Sequence, residues 1–115
     1  MFAASLTISI LLAVALLGSG VTKVRRAPAQ VAAMTSLGVS EQTVPRLGLL
    51  EISATFGLLV GLFWWPIGLA AAIGAVIYFI GAVITHLRAG DKNYAPAAVL
   101  LLISTAALVL QLLAR

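Results

Sequence analysis

The sequence predicts an all-α fold, a transmembrane four-helix bundle, and three observations carry that prediction. Of the 115 residues, 63% are hydrophobic and only 9% are charged, against about a quarter charged in soluble domains. A soluble chain this short has too little interior to hide so much apolar surface. The charges also leave runs free at residues 2–22, 52–85 and 93–114, and a spanning helix needs roughly 20 mostly apolar residues. Finally, the run at 52–85 would be about 50 Å long as one helix, against a hydrocarbon core of about 30 Å, so it must break into two.

The first span covers about residues 2–22. It lacks a basic leader and its apolar run is longer than that of a removable signal peptide, so it reads as a retained helix. Lys23, Arg25 and Arg26 follow it, and Pro28 is expected to stop it. Residues 24–42 form a connector in which Val31, Met34 and Leu37 suit an interfacial turn or short helix. The second span covers about 44–64, with Thr43 as its expected cap and Pro45 in its first turn. The break falls at Trp64-Trp65-Pro66, where paired tryptophans suit a membrane interface and proline suits a new helix. The third span covers about 66–88, with Gly90 as its C′ residue. Asp91 and Asn93 supply turn and capping oxygens before Pro96 opens the fourth span, about 95–114. Residues 1–115 thus read as one transmembrane domain.

Stripes of small or polar residues predict how the spans pack. They are Ser5, Ser9, Leu12, Leu16 and Ser19 in the first span, Ala71, Gly74, Ala75, Tyr78, Ala82 and Thr85 in the third, and Ala97, Leu100, Ser104, Leu108 and Gln111 in the fourth. Small residues permit close helix approach where lipid gives no hydrophobic drive between helices. Gly57 and Gly61 form a GxxxG pair that is expected to pack within the chain. Six cations, Lys23, Arg25, Arg26, Arg46, Arg88 and Lys92, fall on one side and only Arg115 on the other. The positive-inside rule therefore puts the loops at 23–45 and 86–95 in the cytoplasm and both termini outside.

Few residues can carry chemistry. The chain has no cysteine, which removes disulfides, thiol catalysis and thiolate-held metals or clusters. One histidine makes neither a metal site nor bis-histidine haem ligation. No phosphate loop, nucleophile triad or nucleic-acid module is present, and no catalytic residue or resident cofactor is implied. Glu51 is the informative residue, because an acid within a membrane span is costly unless paired or protonated. It is expected one to two turns into the second span, on a face shared with Gly48, Ala54, Thr55 and Leu58. The expected polar cluster gathers Lys23, Arg46, Glu51, Thr55, Tyr78, His86, Arg88 and Asp91, with Lys23, Arg46 and His86 as candidate cations for Glu51. Two readings stay open: snorkelling cations and helix-end neutralisation, or a polar ligand pocket. Tyr78, mid-helix, needs a hydrogen-bond partner or a ligand.

Several motifs in order resemble the DoxX-like family of small bacterial four-helix membrane proteins. They are Lys23, Met34-Thr35-Ser36-Leu37-Gly38-Val39, Arg46-Leu47-Gly48-Leu49-Leu50-Glu51, Gly57-Leu58-Leu59-Val60-Gly61-Leu62, Gly81-Ala82, and His86-Leu87-Arg88-Ala89-Gly90-Asp91 before Pro96. The resemblance covers nearly the whole chain. It implies a multi-pass protein of the bacterial inner membrane, and relatives other than the namesake look like accessory subunits or assembly factors. The family's namesake is associated with a thiosulfate:quinone oxidoreductase, and no universal catalytic set transfers. The leading expectation is an accessory or ligand-binding subunit. Its partners would be the bilayer, a quinone or lipid, and a membrane protein or a second copy of the chain, with no nucleic acid. One alternative is a small proton-coupled multidrug-type transporter, although such proteins carry their acid in the first helix, where this chain has none. The other is a membrane subunit of a quinone-linked oxidoreductase whose redox centre lies on a partner.

Overall fold

The described residues form five helices: α1 (Phe2–Val24), α2 (Pro28–Ser36), α3 (Thr43–Val60), α4 (Trp65–Arg88) and α5 (Ala95–Ala114). The computed structural model describes residues 2–92 and 94–114. The expected capping role of Asn93 and the cation at Arg115 lie outside them. Helices α1, α3, α4 and α5 are long and apolar enough to cross a membrane. Their most apolar windows are only 17 to 28% buried inside the protein, so most of each span needs lipid as its solvent. The long dimension, 41 Å, is close to that of a bilayer with its headgroups, about 40–45 Å. The protein is therefore an integral membrane four-helix bundle with one extra short helix.

The bundle is a ring in which α1 packs on α3, α3 on α4, α4 on α5, and α5 back on α1. Antiparallel neighbours follow from the connections. A loop end holds α2, the C-termini of α1 and α4 and the N-termini of α3 and α5. A hairpin end holds the α3–α4 turn. The core is Leu12, Ala13, Leu16, Leu58, Ala72, Ala75, Phe79 and Ala107. The expected stripes on α1 and α5 are buried or half-buried throughout. On α4 the buried face is rotated to Gly68, Ala72, Ala75 and Phe79, and Gly74 is exposed.

Helix ends explain where the boundaries differ from expectation. Pro28 does not merely stop α1; it opens α2 from its first turn, where a missing N–H costs nothing. The turn before it is closed at Arg26, whose φ of 54° puts it in the left-handed region. The Ala27 N–H bonds to the Thr22 carbonyl and the Arg26 N–H to the Lys23 carbonyl, a Schellman closure with arginine at the usual glycine position. Gly38 and Gly90 close α2 and α4 in the same way with φ of 88° and 69°. Thr43 is not a cap but the first helical residue of α3, and Ser40 Oγ accepts its N–H at 3.3 Å. The second span ends at Val60, four residues before the expected break. Gly61 there lies directly on the backbone of Gly68, so the chain turns as soon as the α3–α4 crossing is made. Gly57 faces Ala71 of α4, and the GxxxG pair packs within the chain.

Candidate functional site

A close α1–α3 crossing sets up the polar centre. A Cβ on Gly20 would lie 2.8 Å from the Gly48 carbonyl oxygen, and one on Gly48 would lie 2.6 Å from the Gly20 carbonyl oxygen. Only glycine lets α1 and α3 approach this closely. Side chains tilt towards the N-terminus of their own helix, and α1 and α3 run in opposite directions. Lys23 therefore reaches inward from the loop end while Glu51 reaches up towards it, and the two meet.

Lys23 Nζ lies 2.6 Å from Glu51 Oε1 and donates to Ser19 Oγ at 2.7 Å. The Tyr78 hydroxyl donates to the same Oε1 at 3.0 Å. The lysine side chain is 7% exposed and the glutamate 1%, so this is a desolvated ion pair. Glu51 Oε2 is buried with no hydrogen-bond partner. One turn further along α3, the Thr55 hydroxyl lies 3.2 Å from the Ala13 carbonyl and 3.1 Å from the Glu51 carbonyl, tying α3 to α1. Glu51 sits eight residues past the start of α3, about 12 Å along the axis at 1.5 Å per residue. That is about two turns into the helix.

The expected polar layer is thus split. Lys23, Glu51 and Tyr78 come together, with Thr55 beneath them. His86 and Asp91 pair with each other at the loop end, Nδ1 to Oδ2 at 2.7 Å, and not with Glu51. Arg46 and Arg88 are exposed. Among the described residues no cluster of metal-ligating side chains exists.

Two cavities meet this centre from different sides. A cleft of about 450 Å³ at the loop end runs between α1, α2, α4 and α5, with Lys23, Tyr78 and His86 among polar walls and Met34, Phe79 and Leu100 among apolar ones. A groove of about 530 Å³ lies between α3 and α4 and reaches Glu51 and Tyr78. A smaller pocket of about 210 Å³ lies at the hairpin end beside Ser9 and Gln111, whose side chains approach to 3.4 Å. Ser19 and the cleft-lining Gln30, Met34 and Leu37 of the connector had not been singled out for the site. Their signals are readable in retrospect: Ser19 is one turn from Lys23, and Gln30, Met34 and Leu37 repeat at helical spacing.

The model of the DoxX-like family matches residues 7–108 of the chain. The chain belongs to the DoxX-like family. The matched region contains Lys23, Glu51, Tyr78 and His86, so the DoxX-like segment includes the polar centre and its neighbouring cleft. No curated protein and no solved structure matches the chain.

Proposed function

We propose that this DoxX-like protein is an accessory, ligand-binding subunit of the cell membrane, taking a lipophilic molecule with an acceptor head, a quinone or a lipid, into the loop-end cleft. The carrying observation is the cleft itself, which is largely apolar and has Lys23, Tyr78 and His86 on its walls, Tyr78 and His86 about 12 Å apart along α4. About 450 Å³ is within the usual range for small-molecule sites, roughly 300–1,000 Å³. A quinone carbonyl or a lipid phosphate accepts hydrogen bonds. The Lys23 ammonium, with a third N–H beyond those directed at Glu51 and Ser19, and an imidazole N–H can supply them, while the Tyr78 O–H is already given to Glu51. In this reading any electron transfer would use a redox centre carried by a membrane partner. The interfacial placement of the connector and the cytoplasmic placement of both loops, with the termini outside, are part of this reading. The first rests on Val31, Met34 and Leu37, the orientation on the six-to-one cation bias.

A proton-coupled transporter gains no support from the geometry. Glu51 would have to release Lys23 and Tyr78 before it could exchange a proton for a cationic substrate.

The test is purification in native nanodiscs with mass spectrometry of co-purifying quinones, lipids and proteins. A Cβ on Gly81 meets nothing within 4 Å, yet Gly81 lines the cleft. Gly81→Leu should fill the cleft and lose the retained ligand. Identical ligand content in parent and variant would remove the cleft from consideration. A reporter fused after Arg115 should be active outside the cytoplasm, and cytoplasmic activity would reverse the orientation.

A further inference from the structure

The groove between α3 and α4 is separate from the cleft and opens on a different side of the bundle. From Ile67 to Tyr78 on α4 it runs about 16 Å at 1.5 Å per residue, roughly half the hydrocarbon core. Its walls are small or aliphatic, including Ala54, Gly57, Ala71 and Gly74, and Glu51 is the one charged residue among those lining it. Any surface groove in lipid will be filled by hydrocarbon. What sets this one apart is the carboxylate at its end. Oε1 is already occupied by Lys23 and Tyr78, whereas Oε2 is unpartnered and shielded from solvent, so a donor reaches it only with a small shift of the groove wall. A buried carboxylate oxygen without a donor costs free energy that a bound donor restores.

The chemistry of that oxygen selects the occupant. An ionised carboxylate only accepts hydrogen bonds, so a head offering only carbonyls gains nothing there. A phosphate would bring a second negative charge beside the first. An ammonium would add a second cation to a carboxylate that Lys23 already neutralises, and leave one charge unpaired in hydrocarbon. A neutral O–H donor on an apolar body remains. We infer that the α3–α4 groove is a second ligand site, which takes a neutral lipophilic alcohol or phenol from the membrane and receives its hydroxyl proton at Glu51 Oε2 in a hydrogen bond. The site stands independently of the loop-end cleft. The two share Tyr78 as a common wall, and they prefer opposite heads, a donor in the groove and an acceptor in the cleft.

The experiment compares O–H compounds with counterparts that lack the donor. Protein in phosphatidylcholine nanodiscs, with empty nanodiscs as background, is equilibrated with tritiated geranylgeraniol or its methyl ether. A parallel pair is decylubiquinol and decylubiquinone, which distinguishes a phenolic from an aliphatic source of the hydroxyl. In at least one pair the O–H compound should bind saturably and about tenfold or more tighter than its counterpart, the range expected for a hydrogen bond to a charged acceptor. A Cβ on Gly74 meets nothing within 4 Å, so Gly74→Leu fills the groove without disturbing the bundle and should abolish that preference. Ala70→Leu, at an exposed position of the same wall, is a second plug should the first fail to fold. Gly81→Leu, which fills the cleft, should leave the preference intact. Equal binding within both pairs would overturn the inference. So would a preference that survives both groove plugs or vanishes on filling the cleft, and the latter result would leave the cleft reading standing alone.

Discussion

Two side-chain pairs of nearly equal length differ in physical character: Lys23–Glu51 is an ion pair, whereas His86–Asp91 is a hydrogen-bonded pair that is ionic only when His86 is protonated. Lys23–Glu51 measures 2.6 Å and His86–Asp91 measures 2.7 Å. The first joins two helices across their closest crossing, with side chains 7% and 1% exposed. The second closes a local turn, with side chains 20% and 33% exposed. Its backbone is already fixed, because the Asp91 N–H bonds to the His86 carbonyl. Distance alone therefore says little about what a pair does. In the first, both charges have lost their solvent and each is compensated mainly by the other. In the second, water and an existing turn share the work.

The largest effect should follow from breaking the inner pair on one side only. Lys23→Met leaves Glu51 with the Tyr78 hydroxyl as its remaining donor, and Glu51→Gln leaves a buried ammonium. Each should lower stability by about 3–5 kcal/mol. The double variant should lose less than the sum of the two, because it leaves no unpaired charge. Unfolding in nanodiscs measures all three. Strict additivity would mean that the contact carries no coupling and that the contrast between the two pairs is one of appearance only.

A smaller effect should come from the crossing that brings the inner pair together. A Cβ on Gly48 would sit 2.6 Å from the Gly20 carbonyl oxygen and 2.8 Å from Lys23 Cβ. Neither neighbour is the free end of a flexible side chain, so α1 and α3 must separate. Gly48→Ala should lower stability by about 1–3 kcal/mol. It should also shrink the Lys23–Glu51 coupling, since a widened crossing separates the charges. An unchanged coupling in the Gly48→Ala background would show that glycine is not what positions the pair.

The sequence exposes some of this arrangement and conceals the rest for definite reasons. Charge is so scarce that its gaps mark the four spans and its one intrusion marks Glu51. The partner of Glu51 is harder to read, because Lys23 sits on another helix and only the Gly20–Gly48 crossing places it. Arg46, by contrast, is testable from sequence. Five residues at 3.6 per turn put it about 140° around the helix from Glu51, and it is exposed. The helix α2 was foreshadowed by apolar spacing at Val31 and Met34. Its start at Pro28 depends on whether the preceding backbone can turn, and that turn is made by Arg26 in a conformation composition does not announce. The cleft is concealed for the same reason, since it exists only once α2 returns over the ends of α4 and α5.

The smallest effect should be at the loop end. His86→Gln and Asp91→Asn each remove one side of a pair that is partly solvated, and the α4 terminus keeps its Gly90 closure in either variant. Exposed ion pairs contribute roughly 0–1 kcal/mol, so each change should cost less than about 1 kcal/mol and should weaken further as salt is raised. His86 borders the cleft, whereas Lys23 and Glu51 bond to each other and to Ser19 and Tyr78. Combining His86→Gln with Lys23→Met should therefore give additive losses within about 0.5 kcal/mol. A loss from His86→Gln as large as that from Lys23→Met, or a strong coupling between them, would place His86 in the same electrostatic unit as Glu51. The two pairs would then be one network reaching from the loop end to the middle of α3.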